Sequence, residues 1–508
     1  MSDLHAETAV YVRDTMLPEK APPALDSGVI KWLRENLFSG WINSLLTVLG
    51  LMAIFYLLKL ALPWFLNGVW TASSFSECRD IVMAANGQSI NEAGKVVNAA
   101  GEVVHAASGA CWAMINERWP QFLYGFYPSD SYWRPVLALL LLIVALTPVL
   151  FAEMSQKLLI VGGVIAALIV WLSLHYGVWL PIGIAVAIVA ISAGFGARGA
   201  RWPGNLMWFS LIYPGLCFWL LWGGTIWLPI MAILGFVVGG LALRFLTPIA
   251  GTIGATVLAV LVAIFWWQFA MGPLTDMLSG VTGRSAPFWL KGVDSDEFGG
   301  FVLAFTIGIA GIAISLPLGI VLALGRQSDM LLVKVLCVGF IEFIRGVPLI
   351  TLLFTASLLL NYFLPPGTNF DIILRVIIMV TLFSAAYIAE VIRGGLAALP
   401  RGQYEAADAL GLDYWKAQRL IIMPQALKIS IPGIVSSFIG LFKDTTLVVF
   451  VGLLDPLKGI TDVVRASFDW KGIYWEPYIF VGFIFFIICF SMARYSTYLE
   501  QKLQREHR

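Results

Sequence analysis

The chain reads as an all-α polytopic membrane protein of about twelve transmembrane helices, and three observations predict that class. Hydrophobic residues fill 59% of the 508 positions and charged residues only 12%, whereas a soluble domain carries about 25% charged residues. Apolar runs able to cross a hydrocarbon core, which takes roughly 20 residues, recur along the whole length. Lysine and arginine gather in alternate connections between those runs, the asymmetry that orients spans in a bilayer. The net charge of +1 gives no footing for a nucleic-acid partner.

Residues 1–40 are polar and lack the apolar core of a cleavable signal, so the first span, 41–62, must act as its own insertion signal. Within that leader, residues 29–38 alternate apolar and charged groups as an interfacial helix does. The polar stretch 67–132 is too long for a turn and predicts a periplasmic subdomain. It holds Cys78 and Cys111, which can bond if the loop lies outside and otherwise are two free thiols. Cys217, Cys337 and Cys489 lie in apolar runs and read as small buried hydrophobes. With only His105 in the loop, no metal site is expected.

Additional spans over 135–271 are predicted at 135–152, 158–174, 178–195, 206–221, 226–243 and 253–271. Five more occupy 299–497, at 299–324, 333–363, 372–392, 429–453 and 477–495, before a tail at 498–508. Twelve spans bring both ends to one side. That side receives Arg198, Arg201, Arg244, Arg326, Lys334, Arg401, Lys416, Arg419 and Lys428, with Lys502 and Arg505 in the tail. The opposite side receives Asp276, Asp294, Asp296 and Glu297. The positive-inside rule therefore puts both termini in the cytoplasm.

Ionisable residues within spans are costly and mark function. Lys443 and Asp444 lie midway along 429–453 and project about 100° apart on a helix. With Thr445 and Thr446 they can line a translocation path or gate; the alternative is a buried tether that fixes packing. Glu342 and Arg345 stand one turn apart and can pair. They precede Gly346 and Pro348, which should break the overlong 333–363 run near the inner side. A hinge and a plain local ion pair are both open. Glu390 and Arg393 repeat that spacing, and there a satisfied pair near the headgroups is the expectation.

The stretch 403–427 is a polar island between two long apolar runs. It reads as two short helices around a bend. Ala406 and Ala407 supply a close-approach face, and Gly411 ends the first helix with a positive φ. Asp413 caps the second, and Pro424 marks a boundary. Such a knob suits docking in another protein's groove; the alternative is an amphipathic loop touching lipid headgroups.

The spacing of Glu405-Ala406-Ala407, Gly411, Ile421 and Pro424 resembles the coupling-loop signature of ABC importer membrane subunits, with Met423 where leucine is usual. The segments at 342–348, 389–395 and 442–447 resemble the polar amino-acid permeases of that superfamily, and the long N-terminal part its general L-amino-acid branch. The resemblance implies a C-terminal five-helix type I importer core and a permease subunit moving polar or general L-amino acids into the cytoplasm of a bacterial inner membrane. It implies an ATPase dimer on the coupling loop, a second homologous permease and a periplasmic binding protein. No G-x-x-x-x-G-K-[ST] phosphate loop, zinc spacing or nucleophile constellation occurs. No cofactor is therefore expected in this chain, and ATP with Mg2+ belongs to the partner ATPase. One rival is an ion-coupled secondary transporter, which predicts related halves that are not evident. Another is a scaffold role for the seven N-terminal spans.

Overall fold

The computed structural model describes residues 28–91, 94–150, 164, 166–171, 174, 204–283, 288–359, 362 and 371–505. They fall into two compact units, 1–113 and 114–508.

In the first unit the amphipathic patch forms helix Gly28–Asn36, and the first span forms helix Trp41–Leu66. Apart from Lys59 and the polar residues of its first turns, that span shows no polar face, and it buries no residue within its unit. The loop beyond it is closed locally. Ser74 caps helix Phe75–Ala85 by accepting from the Glu77 amide, and Ser89–Ile90 pairs antiparallel with Val96–Val97. A disulfide joins Cys78 to Cys111, with Cα atoms 5.9 Å apart. Trp112 packs among Trp64, Phe65 and Trp70 at 5.3–6.0 Å between ring centroids. The single subdomain expected over 67–132 is divided. Its first part is sealed by the disulfide and Trp112. Phe122, on helix Ala113–Tyr124, belongs to the second unit, where its ring packs against Phe480 and its carbonyl lies beside Gly300.

Among the described residues, eight helices are long and apolar enough to cross a membrane. Seven belong to the second unit: Ser129–Leu150, Trp227–Gly251, Gly254–Thr282, Gly300–Arg326, Ile372–Ala397, Tyr414–Val451 and Trp475–Leu503. Met207–Trp222 is a shorter apolar helix, and Leu331–Gly346 with Leu349–Ser357 is one pair bent by 103°. The predicted run 178–195, and most of 158–174, lie outside the described residues. The predicted runs 226–243 and 253–271 form two spans that run on with only a short connection between them. The connection is a kink, where Gly251 takes φ 68° shortly after Pro248 and separates helices Trp227–Gly251 and Gly254–Thr282.

The second unit packs around helices Gly300–Arg326, Ile372–Ala397 and Met423–Asp444. Small residues let these backbones approach: a Cβ on Gly319 would lie 2.7 Å from Ile388, and one on Gly395 would lie 2.6 Å from the Ala426 carbonyl. A 27-residue helix is about 40 Å long, so Gly300–Arg326 fixes two distant ends. At one, the Gly300 amide donates to the Leu454 carbonyl at 2.8 Å. At the other, Ala323, Ile341, Ile388, Ile392, Leu396, Ile422 and Ala426 form a closed apolar cluster. The additional helices join the first end through long-range polar contacts. Tyr127 donates to the Leu221 carbonyl, Arg134 to the Lys291 carbonyl and the Trp222 indole to Ser295.

Candidate functional site

The polar island lies over that second end. Helix Gly402–Ala409 ends in a Schellman cap: the Gly411 amide donates to the Asp408 carbonyl at 2.9 Å, and the Leu412 amide to Ala407 at 3.2 Å. Gly411 takes φ 68°, a left-handed conformation that glycine adopts without a Cβ clash. Asp413 then accepts from the Lys416 amide at 2.9 Å and from its ammonium at 3.0 Å, starting helix Tyr414–Ala417. Those bonds, the backbone one foremost, hold the Asp413 carboxyl below its usual range.

The second helix is not short, and Pro424 does not end it. A π-turn, Gln418–Ile422, carries the chain into helix Met423–Asp444, so one continuous helical path runs from the knob into the span. Pro424 sits at the start of that helix, where the widened turn accommodates its missing N–H. Ala407, Gln418 and Ile422 are buried, and Gln425 donates to Gln403 at 2.9 Å. Ala406 and Ala407 therefore do not share one face: Ala407 is spent inside the chain, whereas Glu405, Ala406, Gly411 and Pro424 are exposed and Ile421 is half-buried. Sequence reasoning missed the apolar groups on the outer surface. Leu410, Tyr414, Trp415 and Leu420 are each more than half exposed, Trp415 at 70%. Their signal was the placement of large apolar residues inside a charged island.

The predicted break after Gly346 is present, but its ion pair is not the one expected. Glu342 bonds Arg326 at 3.0 Å rather than Arg345. Arg345 reaches Glu390 at 3.5 Å and lies over the Tyr387 ring at 5.7 Å. Glu390 also holds Arg326 at 3.1 Å and Arg393 at 2.5 Å. Contacts between helices replace the contact within one turn because Arg326 and Glu390 approach Glu342 and Arg345 from neighbouring helix ends. Past the break, Pro348 starts helix Leu349–Phe354, which buries Leu349, Leu352 and Leu353.

At the far end of Met423–Asp444 the backbone tightens into a 3-10 segment, Thr445–Val451, ended by left-handed Gly452 at φ 94°. Lys443 is exposed and Asp444 half-buried, and neither enters the ion pairs formed among the described residues. The threonines differ from expectation. Thr445 is fully buried and donates to the Phe442 carbonyl at 2.8 Å, while Thr446 donates to Lys443 at 2.9 Å. Their hydroxyls donate to the tightened backbone, whereas the Lys443 and Asp444 side chains make no ion pair among the described residues. Asp455, not singled out from sequence, is buried just beyond, where it caps helix Pro456–Ala466 by accepting from the Leu457 and Lys458 amides. Burial pushes its carboxyl up to about 6.

With this geometry in place, comparison with known proteins is decisive. Residues 315–505 match the family described as binding-protein-dependent transport system inner membrane component. The glutamate/glutamine/aspartate/asparagine transport system permease protein BztC of Rhodobacter capsulatus is 55% identical over 98% of this chain and 99% of its own length. The inner membrane amino-acid ABC transporter permease protein YhdY of Escherichia coli is 35% identical over 94% of this chain and 93% of its own. Among solved structures, an amino acid ABC transporter crystallised with histidines is 29% identical over 40% of this chain and 91% of its own, with a TM-score of 0.36. Full-length identity of this order decides against the ion-coupled rival. The chain belongs to the permease subunits of amino-acid ABC importers.

Proposed function

We propose that this permease carries glutamate, glutamine, aspartate and asparagine across a bacterial inner membrane, paired with a second, related permease. The substrate range rests on the 55% identity to a relative named for those four amino acids. A periplasmic binding protein delivers substrate to the outer mouth. Two ATPase subunits, which hold the ATP and Mg2+, close on the cytoplasmic side and move the knobs. Both termini and the knob face the cytoplasm, following the lysine and arginine asymmetry, and the disulfide-closed loop faces the oxidising periplasm. Lys443 and Asp444 border the path.

The observation that carries this reading is the knob itself. Its frame is locked by a Schellman cap, an aspartate cap and buried Ala407 and Ile422, while Leu410, Tyr414, Trp415 and Leu420 are left open. Rigid exposed aromatics of this kind act as anchors in a partner's groove. Glu405→Ala and Gly411→Val should abolish co-purification of the ATPase and uptake while membrane insertion persists. Normal ATPase retention and uptake in both variants would remove the docking role. The substrate range is tested separately: labelled glutamate uptake should be competed by glutamine, aspartate and asparagine but not by leucine or arginine.

A further inference from the structure

Glu390 is the common acceptor of three guanidinium groups from three different helices. Arg326 ends helix Gly300–Arg326, Arg345 lies next to the end of Leu331–Gly346, and Arg393 is one turn along from Glu390 on Ile372–Ala397. Arg326 and Arg345 share one carboxylate oxygen at 3.1 and 3.5 Å. Arg393 takes the other through Nε at 2.9 Å and Nη2 at 2.5 Å. Three hydrogen bonds, one from Arg326 and two from Arg393, and the ion pair with Arg345 thus converge on one carboxylate. Arg326 extends the chain to Glu342 at 3.0 Å.

What the network joins gives it meaning. Four residues past the Ile372–Ala397 helix, the chain enters the knob helix Gly402–Ala409. One residue past Arg345, it breaks and turns by 103° into Leu349–Phe354. That short helix packs against the 3-10 segment Thr445–Val451, which follows Lys443 and Asp444. The Arg345–Glu390 contact is thus a polar tie between the helix that carries the knob and the broken helix that abuts the path.

We propose that Glu390 is a positioning residue for coupled transport: it fixes the break at Gly346–Pro348 to the helix bearing the knob, so that displacement of the knob moves Leu349–Phe354 against the pore segment. This rests on the docking role of the knob and adds the route by which its motion reaches the path. Glu390 is what makes the tie possible, because three guanidinium groups gathered without a carboxylate would repel one another.

The test uses the complete importer, with ATPase and binding protein, in proteoliposomes, and reads substrate moved per ATP hydrolysed. Glu390→Gln removes the acceptor's charge. Arg345→Gln cuts only the tie to the break and leaves Glu390 held by Arg326 and Arg393. Glu390→Asp keeps the charge on a shorter stem. Glu390→Gln should retain ATPase binding and ATP turnover within about twofold yet move at least tenfold less substrate per ATP. Arg345→Gln should lose severalfold, and Glu390→Asp should recover part of the ratio. An unchanged ratio in Glu390→Gln and Arg345→Gln would overturn the proposal. If Glu390→Gln fails to accumulate, Arg345→Gln decides; failure of both to insert would make the network a folding element and equally overturn it. Loss of ATPase from the purified complex would instead indict the docking role, which the Glu405 and Gly411 variants read separately.

Discussion

Two polar islands interrupt the apolar chain, and they are built in opposite ways. The first, up to residue 113, is closed by its own core: Cys78, Val82, Met83, Cys111 and Trp112 are buried and a disulfide spans a separation of 33 residues. The second, 402–422, is locked by backbone caps and leaves Leu410, Tyr414, Trp415 and Leu420 in the open. Both are braced, and the first also leaves Trp70, Ile90 and Val103 open, so neither bracing nor a single exposed apolar group marks a docking element. What sets 402–422 apart is that its exposed apolar groups, Leu410, Tyr414, Trp415 and Leu420, lie close together along the chain.

The sharpest way to break the contrast is to unlock the sealed island. Closing a loop of about 33 residues removes some 3–4 kcal/mol of chain entropy from the unfolded state in the entropic account. The double change Cys78→Ser and Cys111→Ser should cost that order of stability, read as faster protease cleavage between residues 67 and 113 in membrane vesicles. ATPase retention should not change. Loss of ATPase binding in that variant would mean that the two islands are not independent.

Two aspartate caps sharpen the contrast through pH. Asp455 is buried and its carboxyl is raised from 3.8 to about 6. The folded state thus prefers the neutral acid; that preference acts in full below about pH 4 and is lost as pH rises through 6. Asp455→Asn keeps a capping oxygen and removes the charge. It should raise thermal stability at pH 7.5 by up to about 3 kcal/mol and flatten the dependence between pH 4 and 7. Asp413 has the opposite sign. Held low by the Lys416 amide and ammonium, it contributes above its ordinary range and loses that contribution as pH falls below it. Acidifying from pH 7 to 5 should therefore firm the Asp455 end and leave the knob as it was. A melting temperature that does not move would sink the assignment for Asp455.

Next in size is the open surface. Trp415 is 70% exposed, so Trp415→Ala should leave stability within about 0.5 kcal/mol. As a central aromatic anchor it should weaken ATPase binding by about 2 kcal/mol, roughly 30-fold. Titration of purified ATPase against the permease would measure it. Unaltered affinity would move the contact to the Glu405 and Ala406 side.

Much of this was legible beforehand, for identifiable reasons. The spans follow from uninterrupted apolar length, Gly411 from the need for a positive φ, and Asp413 from its place before a helix. What stayed hidden depended on partners distant in sequence. Glu342 and Arg345 satisfy the one-turn rule, yet each finds a better partner on another helix, and no local pattern reports Arg326. Pro424 reads as a stop, but a π-turn absorbs it. Thr445 and Thr446 look like path-lining hydroxyls until the 3-10 backbone claims them. Asp455 has no local signal for its burial; its neighbour Leu454 pairs with Gly299 and Gly300, more than 150 residues earlier in the chain.

The smallest effect separates frame from contact at Gly411. A Cβ there would meet nothing within 4 Å, so Gly411→Ala introduces no clash and only asks alanine to hold φ 68°. That conformation costs an L-residue about 1 kcal/mol. Asparagine visits the left-handed region more readily. If the cap serves to hold Leu410 and Trp415 in place, ATPase affinity should fall by about fivefold in Gly411→Ala and recover in Gly411→Asn, despite the larger side chain. If instead the ATPase touches Gly411 itself, size governs, and asparagine should be the worse of the two. The order of the two variants, measured in one titration, therefore states whether this glycine is used for its backbone or for the space above it.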